Sequence, residues 1–363
     1  MTTRVVLLIP TMDRGGAEKQ LCLLAENLPR EQIEPHVFLL TRDGPRSESL
    51  REAGIPVTVI GKRFKADPSA LWRLRSELKR LQPDLIHTWL FAANSFGRAA
   101  AKLAGVPRII ASERCVDPWK TAAHFFVDRH LAKSTEAITT NSTGVQEFYA
   151  ANGIDPSLFR IIPNGIPARD ATVIDRQEAC ERLDVAVDRK LIFAVGRLWQ
   201  QKSYRDLIWA AELIGCLRED TTLVVIGDGP QRGELLRHRD AVTTTERVKF
   251  AGNRSDVLEL LPHASAFWIG SEYEGQSNSV IEAMQAGLPV IASNIPGNRD
   301  LVLPGQTGTL FEHGDTADLA RQTNKILEDQ TLARQMGEAG QERIATEFTV
   351  QKMVQRHADL YLS

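Results

Sequence analysis

The stretch Leu191-Ile192-Phe193-Ala194-Val195-Gly196-Arg197-Leu198-Trp199-Gln200-Gln201-Lys202 passes from a continuous apolar run into a glycine, two cations and a helical pattern that opens near Tyr204. Five apolar residues without polar alternation mark a strand buried on both faces of a parallel sheet. The glycine at its carboxyl end lets backbone approach a ligand, and the helix that follows presents free N–H groups and a positive dipole end. Moving outward, the same strand–loop–helix unit recurs. Downstream, strand-length apolar runs occupy 223–226, 248–250, 266–269, 290–292 and 308–311. Upstream they occupy 5–9, 37–40, 57–60, 85–87, 109–111 and 137–140, with helical-period segments between them at 17–28, 68–81 and 94–104. The breaker cluster Pro163-Asn164-Gly165-Ile166-Pro167 separates the two series.

Two such series predict an α/β chain of two facing doubly wound domains, residues 1–165 and 166–345, with a closing helix at 346–363 packing back on the first domain. Length agrees, since 363 residues exceed what a single hydrophobic core usually supports. Ligands of open α/β sheets bind beyond the carboxyl ends of the strands, so the expected site is the cleft between the domains.

Composition narrows the function classes. The chain is 43% hydrophobic and 25% charged with a formal net charge of −2, which argues against nucleic acid as a partner. Cys22, Cys115, Cys180 and Cys216 show no metal-type spacing; Cys22, Cys180 and Cys216 lie in apolar helical stretches and read as core thiols of a reducing compartment. The apolar run at 5–9 is too short for a secretory signal, and no stretch approaches the ~20 apolar residues of a membrane span. The expectation is a cytoplasmic protein, attached at most to a membrane surface.

Two segments carry chemistry. In the first, Arg197 and Lys202 supply two charges matched to a diphosphate, which arginine grips bidentately; the competing reading is an ordinary turn with two solvated cations. The second is Ser271-Glu272-Tyr273-Glu274-Gly275-Gln276-Ser277-Asn278-Ser279-Val280-Ile281-Glu282-Ala283-Met284. Glu274 follows the strand 266–269, and Glu282 falls roughly two turns into the next helix if that helix opens between Gln276 and Asn278. A carboxylate flanked by Val280, Ile281, Ala283 and Met284 needs specific hydrogen bonds, and sugar hydroxyls are suitable donors. The amides of Gly275, Gln276, Ser277 and Asn278 form a second anion-facing helix start.

The spacing from Glu274 to Glu282 resembles the E-x7-E signature of the family 4 retaining glycosyltransferases, and Gly196-Arg197-Leu198 with Lys202 resembles their phosphate motif. Gly15-Gly16-Ala17-Glu18, Ile162-Pro163-Asn164-Gly165-Ile166, Val225-Ile226-Gly227-Asp228-Gly229-Pro230 and Ala286-Gly287-Leu288-Pro289-Val290-Ile291-Ala292 follow the same family pattern in order, so the resemblance spans nearly the whole chain. It implies the GT-B fold, two Rossmann-like domains, and a sugar moved from a nucleotide-diphosphate-sugar donor to a hydroxyl of a saccharide or lipid-linked acceptor. It implies further that Arg197 and Lys202 neutralise the leaving diphosphate, that Glu282 takes the ribose and that Glu274 takes a hydroxyl of the sugar. Asn253 and Arg254 then lie by the base, and Gly15 and Gly16 approach the donor phosphate from the first domain. Members transfer with retention and without a metal or other cofactor, and no D-x-D metal signature stands in a suitable place here.

The sequence departs from the family at one place. In Ile109-Ile110-Ala111-Ser112-Glu113-Arg114, Glu113 aligns where many members carry a histidine beneath the sugar. Glu113 either acts on the sugar or pairs structurally with Arg114 or another cation. His87, ending the run that begins at Asp84, joins Glu113 and Arg114 as an acceptor-side candidate, with a structural role as its alternative. The basic, aromatic segment Lys62-Arg63-Phe64-Lys65 through Trp72, Arg73, Arg75, Lys79 and Arg80 fits anionic lipid or a solvated helix face. Trp119 with His124-Phe125-Phe126 fits an acceptor contact or core. Surface polysaccharide or glycolipid synthesis is the setting that family frequency implies; the rival readings are a nucleotide-sugar epimerase and a non-catalytic partner of a transferase.

Overall fold

The strand β1 (Thr3–Ile9) shows how the first sheet is buried: Val5, Leu7 and Ile9 pack into one apolar cluster, Val6 and Leu8 into another, and all five are shut off from solvent. That is the two-faced burial a continuous apolar run requires. The computed structural model describes residues 2–168 and 174–363. The first sheet adds β2 (Ile33–Leu39), β3 (Val57–Val59), β4 (Leu85–Trp89), β5 (Arg108–Glu113), β6 (Ala137–Thr140) and β7 (Phe159–Ile161). All pairings are parallel, in the order β3-β2-β1-β4-β5-β6-β7.

The second sheet comprises β8 (Lys190–Val195), β9 (Thr221–Ile226), β10 (Val248–Gly252), β11 (Ala266–Ile269), β12 (Val290–Ser293) and β13 (Gly308–Phe311). It too is wholly parallel, ordered β10-β9-β8-β11-β12-β13. Its core joins Ile192, Ala194, Leu223, Val225 and Trp268 to the helices Tyr204–Leu217 and Thr316–Glu328. Trp268 Nε1 donates to Thr323 Oγ1 at 2.8 Å, so the one polar atom of this buried indole is satisfied. Both sheets are doubly wound and Rossmann-like.

The chain's contacts resolve into two units, one of Met1–Gly165 with Phe348–Ser363, the other of Ile166–Glu347. The closing helix Val350–Leu362 belongs to the N-terminal unit for chemical reasons. Its Val350, Met353, Val354, Ala358 and Tyr361 enter the cluster around β1. Arg108 at the start of β5 donates to the last-turn carbonyls of Tyr361 (2.6 Å) and Leu360 (2.9 Å), where unpaired carbonyls and the negative dipole end welcome a cation.

Several boundaries differ from the sequence expectation. The strand expected at 85–87 continues to Trp89, and that expected at 109–111 runs from Arg108 to Glu113, because polar residues at a sheet's carboxyl edge still pair. β7 was not anticipated; its Phe-Arg-Ile has too few residues to show a pattern. Cys22 and Cys180 are buried, but Cys216 is exposed, lying on the solvent side of its helix rather than in the core.

Candidate functional site

In the C-terminal unit the winding reverses between β8 and β11, and a doubly wound sheet opens its ligand crevice at such a switch point. The two loops that leave these strands are the two segments singled out from the sequence. They are tied together: Glu272 N–H donates to Gln201 O at 2.9 Å, and Gln201 Nε2 donates to Tyr273 O at 2.5 Å. Lys202 Nζ forms an ion pair with Glu274 Oε1, which also accepts from Ser271 Oγ at 2.9 Å. The pair lies mostly covered, and burial together with the Glu274 charge holds the hydroxyl of Tyr204 above its usual pKa. Arg197 is exposed, its guanidinium resting 4.9 Å from the centroid of the Trp199 ring. The stretch therefore presents one free-standing cation beside one neutralised cation.

The loop after β11 is braced from behind. Ser293 Oγ donates to Ser271 O at 2.6 Å, and Asn298 Nδ2 donates to Ser293 O at 2.9 Å. Gly297 is required by close approach, since a Cβ there would lie 1.8 Å from Gly275 O. Gly275, Gln276 and Ser277 are buried as they lead into the helix Asn278–Gln285. That helix has no acidic residue in its first turn and no side-chain cap from Ser277, so its positive dipole end is not neutralised from within. Glu282 is its fifth residue and half-buried. It stands just over one turn in rather than two, because the helix opens at Asn278, the latest of the expected starts. Asn253 is exposed beyond β10, whereas the Arg254 guanidinium is forked onto Asp256 (2.8 and 2.6 Å) and bound to Arg182 O. Reading a base through Arg254 would require breaking that fork.

In the N-terminal unit, Gly15 caps the helix Gly16–Asn27 without a side-chain hydrogen bond. The Glu18 carboxylate folds back over this cap, so that a Cβ on Gly15 would lie 2.0 Å from Glu18 Oε2. Burial raises the Glu18 pKa, and its own backbone N–H partly offsets the rise.

Glu113 ends β5 in a buried charge cluster whose other members the sequence reading missed. Lys120 Nζ lies 2.9 Å from Asp128 Oδ2, 3.6 Å from Glu113 Oε1 and 2.8 Å from Tyr149 Oη; Arg98 reaches Asp128 at 2.7 Å. The structural partner of Glu113 is thus Lys120 and not Arg114, since neighbouring residues at the end of a strand point to opposite faces. Tyr149 Oη lies 3.0 Å from Glu113 Oε2 and 2.9 Å from Asp117 Oδ2. The hydroxyl has one proton to share between the two carboxylates. Burial raises the pKa of Glu113, and the Lys120 charge partly offsets the rise.

His87 requires a correction. It is fully buried, with Nδ1 2.7 Å from Tyr361 Oη and Nε2 3.0 Å from Thr139 Oγ1, so both nitrogens are occupied by the fold and none is presented to a substrate. Burial first, then His357 and Arg114, drive its pKa well down and keep it neutral. Its pairing with Tyr361 was invisible in the sequence because the partners lie at opposite ends of the chain. Arg114 is also buried, its guanidinium over the Trp89 ring and its Nη2 bonded to Asn164 Oδ1. Leu90, between β4 and the helix Phe91–Ala104, takes φ 70°, a strained value for leucine at the sheet's carboxyl edge. Of the aromatic segment, Phe125 is core, while Trp119 and Phe126 are exposed and His124 joins Thr121 in a capping box.

Two family models match the chain, Glycosyltransferase Family 4 over residues 14–169 and Glycosyl transferases group 1 over residues 175–343. The chain is 27% identical to the UDP-Gal:alpha-D-GlcNAc-diphosphoundecaprenol alpha-1,3-galactosyltransferase of Escherichia coli, across 98% of this chain and 95% of that one. It is 24% identical to the lipopolysaccharide core biosynthesis glycosyltransferase LpsD of Rhizobium meliloti, across 96% and 95%. Among solved structures, Anabaena Alr3699/HepE in complex with UDP superposes with a TM-score of 0.87 at 22% identity, covering 99% of each chain.

Proposed function

Because the chain belongs to the family 4 glycosyltransferases and has their GT-B architecture, we propose that it moves a hexosyl group from a nucleoside-diphosphate sugar to a hydroxyl acceptor with retention and without a metal ion. The observation that carries this reading is the Lys202–Glu274 pair, which joins the loops leaving β8 and β11 at the switch point of the C-terminal sheet. The bond from the anomeric carbon to the diphosphate oxygen breaks as negative charge grows on the leaving group. Arg197 and Lys202 neutralise that charge where it develops, helped by the positive dipole end of the helix Asn278–Gln285. Glu282 receives the ribose hydroxyls and Glu274 a hydroxyl of the sugar. Gly275, Gln276, Ser277, Asn278 and Asn253 line the donor. The acceptor oxygen forms its bond on the face the diphosphate leaves, and its proton passes to the departing phosphate oxygen, so positioning rather than a protein nucleophile provides the rate. Glu113, caged by Lys120 and Tyr149, is reassigned from the chemistry to the framework beneath it.

The setting we propose is glycolipid or surface-polysaccharide assembly at the cytoplasmic face of a membrane. Two features support a peripheral attachment. Among the described residues no helix is long and apolar enough to span a bilayer. On the helix Pro68–Leu81 and the loop before it, Phe64 and Trp72 are exposed among Lys62, Arg63, Lys65 and Arg75, with Arg75 over the Trp72 ring. The epimerase reading finds no support among the relatives above. The test is transfer from a panel of nucleotide sugars to a lipid-linked saccharide in excess EDTA, with the product's anomeric coupling read by NMR. Retained configuration and undiminished rate are expected. An inverted product or EDTA-sensitive turnover would overturn the mechanism, and nucleotide release without acceptor would favour the epimerase.

A further inference from the structure

The least explained charge in the N-terminal unit is Arg114. It is the first residue beyond β5, only 7% exposed, and no acid compensates it. Nη2 donates to the neutral Asn164 amide, the guanidinium face lies 4.8 Å from the Trp89 ring centroid, and Nη1 has no partner. Among the described residues no carboxylate offsets its charge, and burial pulls its pKa down to about 9. The imidazoles beside it, His87 and His357, are held neutral by burial. A guanidinium keeps its proton even so, and an unpaired buried ion is strongly unfavourable.

The unsatisfied atoms around it are not scattered. Trp89 Nε1, fully buried at the end of β4, is a donor without an acceptor, and Asn141 Oδ1 close by is an acceptor without a donor. Strand register makes these residues neighbours: Trp89 pairs with Ser112, and Glu113 pairs with Thr140. Arg114 and Asn141 therefore stand side by side just beyond β5 and β6, two residues past the level of Trp89 on β4, at the sheet's carboxyl edge where α/β sheets take their ligands. A guanidinium fork with a free N–H and an indole N–H beneath it are donors for a phosphoryl oxyanion.

We propose that Arg114 and Trp89 form a subsite for a phosphate group of the acceptor, so that the enzyme takes a phosphate-bearing, lipid-diphosphate class of acceptor and not a neutral sugar. This deepens the transferase reading and rests on the N-terminal unit holding the acceptor. The alternative source of the same oxyanion is the diphosphate of the donor.

The test uses the full chain, with inorganic pyrophosphate and UDP as probes in titration calorimetry, on wild type, Arg114→Met, Arg114→Lys and Arg197→Ala. With UDP saturating, wild type binds pyrophosphate, and Arg114→Met loses about tenfold or more of that affinity. Arg114→Lys, which keeps the charge and loses the fork, sits between and serves if the methionine variant does not fold. UDP affinity alone stays within about twofold in both. Ligand-free Arg114→Met melts no lower than wild type, because an uncompensated buried cation has been removed. A lower melting temperature with unchanged pyrophosphate binding would make Arg114 a structural residue. Loss of UDP affinity as large as in Arg197→Ala would assign the oxyanion to the donor, and no pyrophosphate binding to UDP-saturated wild type would remove the subsite; each overturns the proposal. Failure of any nucleotide sugar to turn over, with pyrophosphate binding still dependent on Arg114, would instead fault the transferase reading.

Discussion

Replacing Glu274 by glutamine is predicted to tighten the binding of a free nucleoside diphosphate while it slows transfer. In the ligand-free protein Lys202 is bound to Glu274, so the site offers the phosphates a neutral pair and not a cation. When a phosphate takes its place beside Lys202, it also stands near the Glu274 carboxylate. At a separation of roughly 6 Å two unit charges repel by about 0.7 kcal/mol in bulk water and by about 2.8 kcal/mol at an effective dielectric of about 20. Side-chain exposures of 17% for Lys202 and 11% for Glu274 place the pair nearer the second limit. Neutralising Glu274 should then strengthen diphosphate binding by about 2 kcal/mol, or roughly 30-fold. Glutamine keeps the shape and accepts from Ser271, so the loop should hold. Calorimetric titration of UDP at low ionic strength measures the change, and repetition near 1 M salt should shrink it as screening reaches about 3 Å. Turnover should fall about 100-fold or more, because a charged acceptor for the sugar hydroxyl is lost in the transition state. Glu274→Gln binding UDP more weakly than wild type would refute the reasoning, since it would mean that Glu274 supports the diphosphate instead of competing with it for Lys202.

Further predictions follow from the buried groups. Lys120→Met leaves Glu113, Asp117 and Asp128 with Arg98 as their one remaining cation, and removing one partner of a buried pair costs about 3–5 kcal/mol. Calorimetry should show the N-terminal unit melting about 10 °C lower, with part of the loss recovered at low pH as the acids protonate. His357 is pushed down to about 3 by burial and His87 is also held well below its usual value, so the folded protein refuses protons that the unfolded chain accepts below about 6.5. Their stabilisation is complete above that pH and lost on acidification towards 3, by about 2 kcal/mol per histidine between pH 6.5 and 5, visible as a falling urea midpoint that His357→Gln makes shallower. Gly297→Ala should impair UDP binding while leaving the N-terminal unit's melting unchanged, because its Cβ would meet the Gly275 carbonyl.

Legibility followed the range of the interactions. β1 and β8 were readable because burial on both faces makes a strand apolar throughout, and the donor loops because strand, glycine and helix start are adjacent in sequence. The helix Pro68–Leu81 stands where its periodicity puts it, capped by Asp67 with proline in the opening turn and Gln82 in the left-handed region at its end. What failed depended on distant partners. His87 is a core residue because Tyr361 and Thr139 complete it, and Glu113 is caged because Lys120, from the loop beyond, turns back beneath it. Arg114 and Glu113 looked like a pair in sequence, yet the alternation of a strand sends them to opposite faces. The Lys202–Glu274 pair joins two loops that were both recognised, but only the meeting of β8 and β11 brings them into contact.

The central claim, that the β8/β11 loops hold a nucleoside-diphosphate sugar, is tested most directly by thermal shift with nucleotides and nucleotide sugars on wild type and Glu282→Ala. One nucleoside-diphosphate class at about 100 times its Kd should stabilise wild type by about 2.7 kcal/mol, a rise of about 5–10 °C in the melting of a unit this size. Glu282→Ala should lose most of that rise while its ligand-free melting stays close to wild type. Equal stabilisation of the two proteins would contradict the assignment of the donor site.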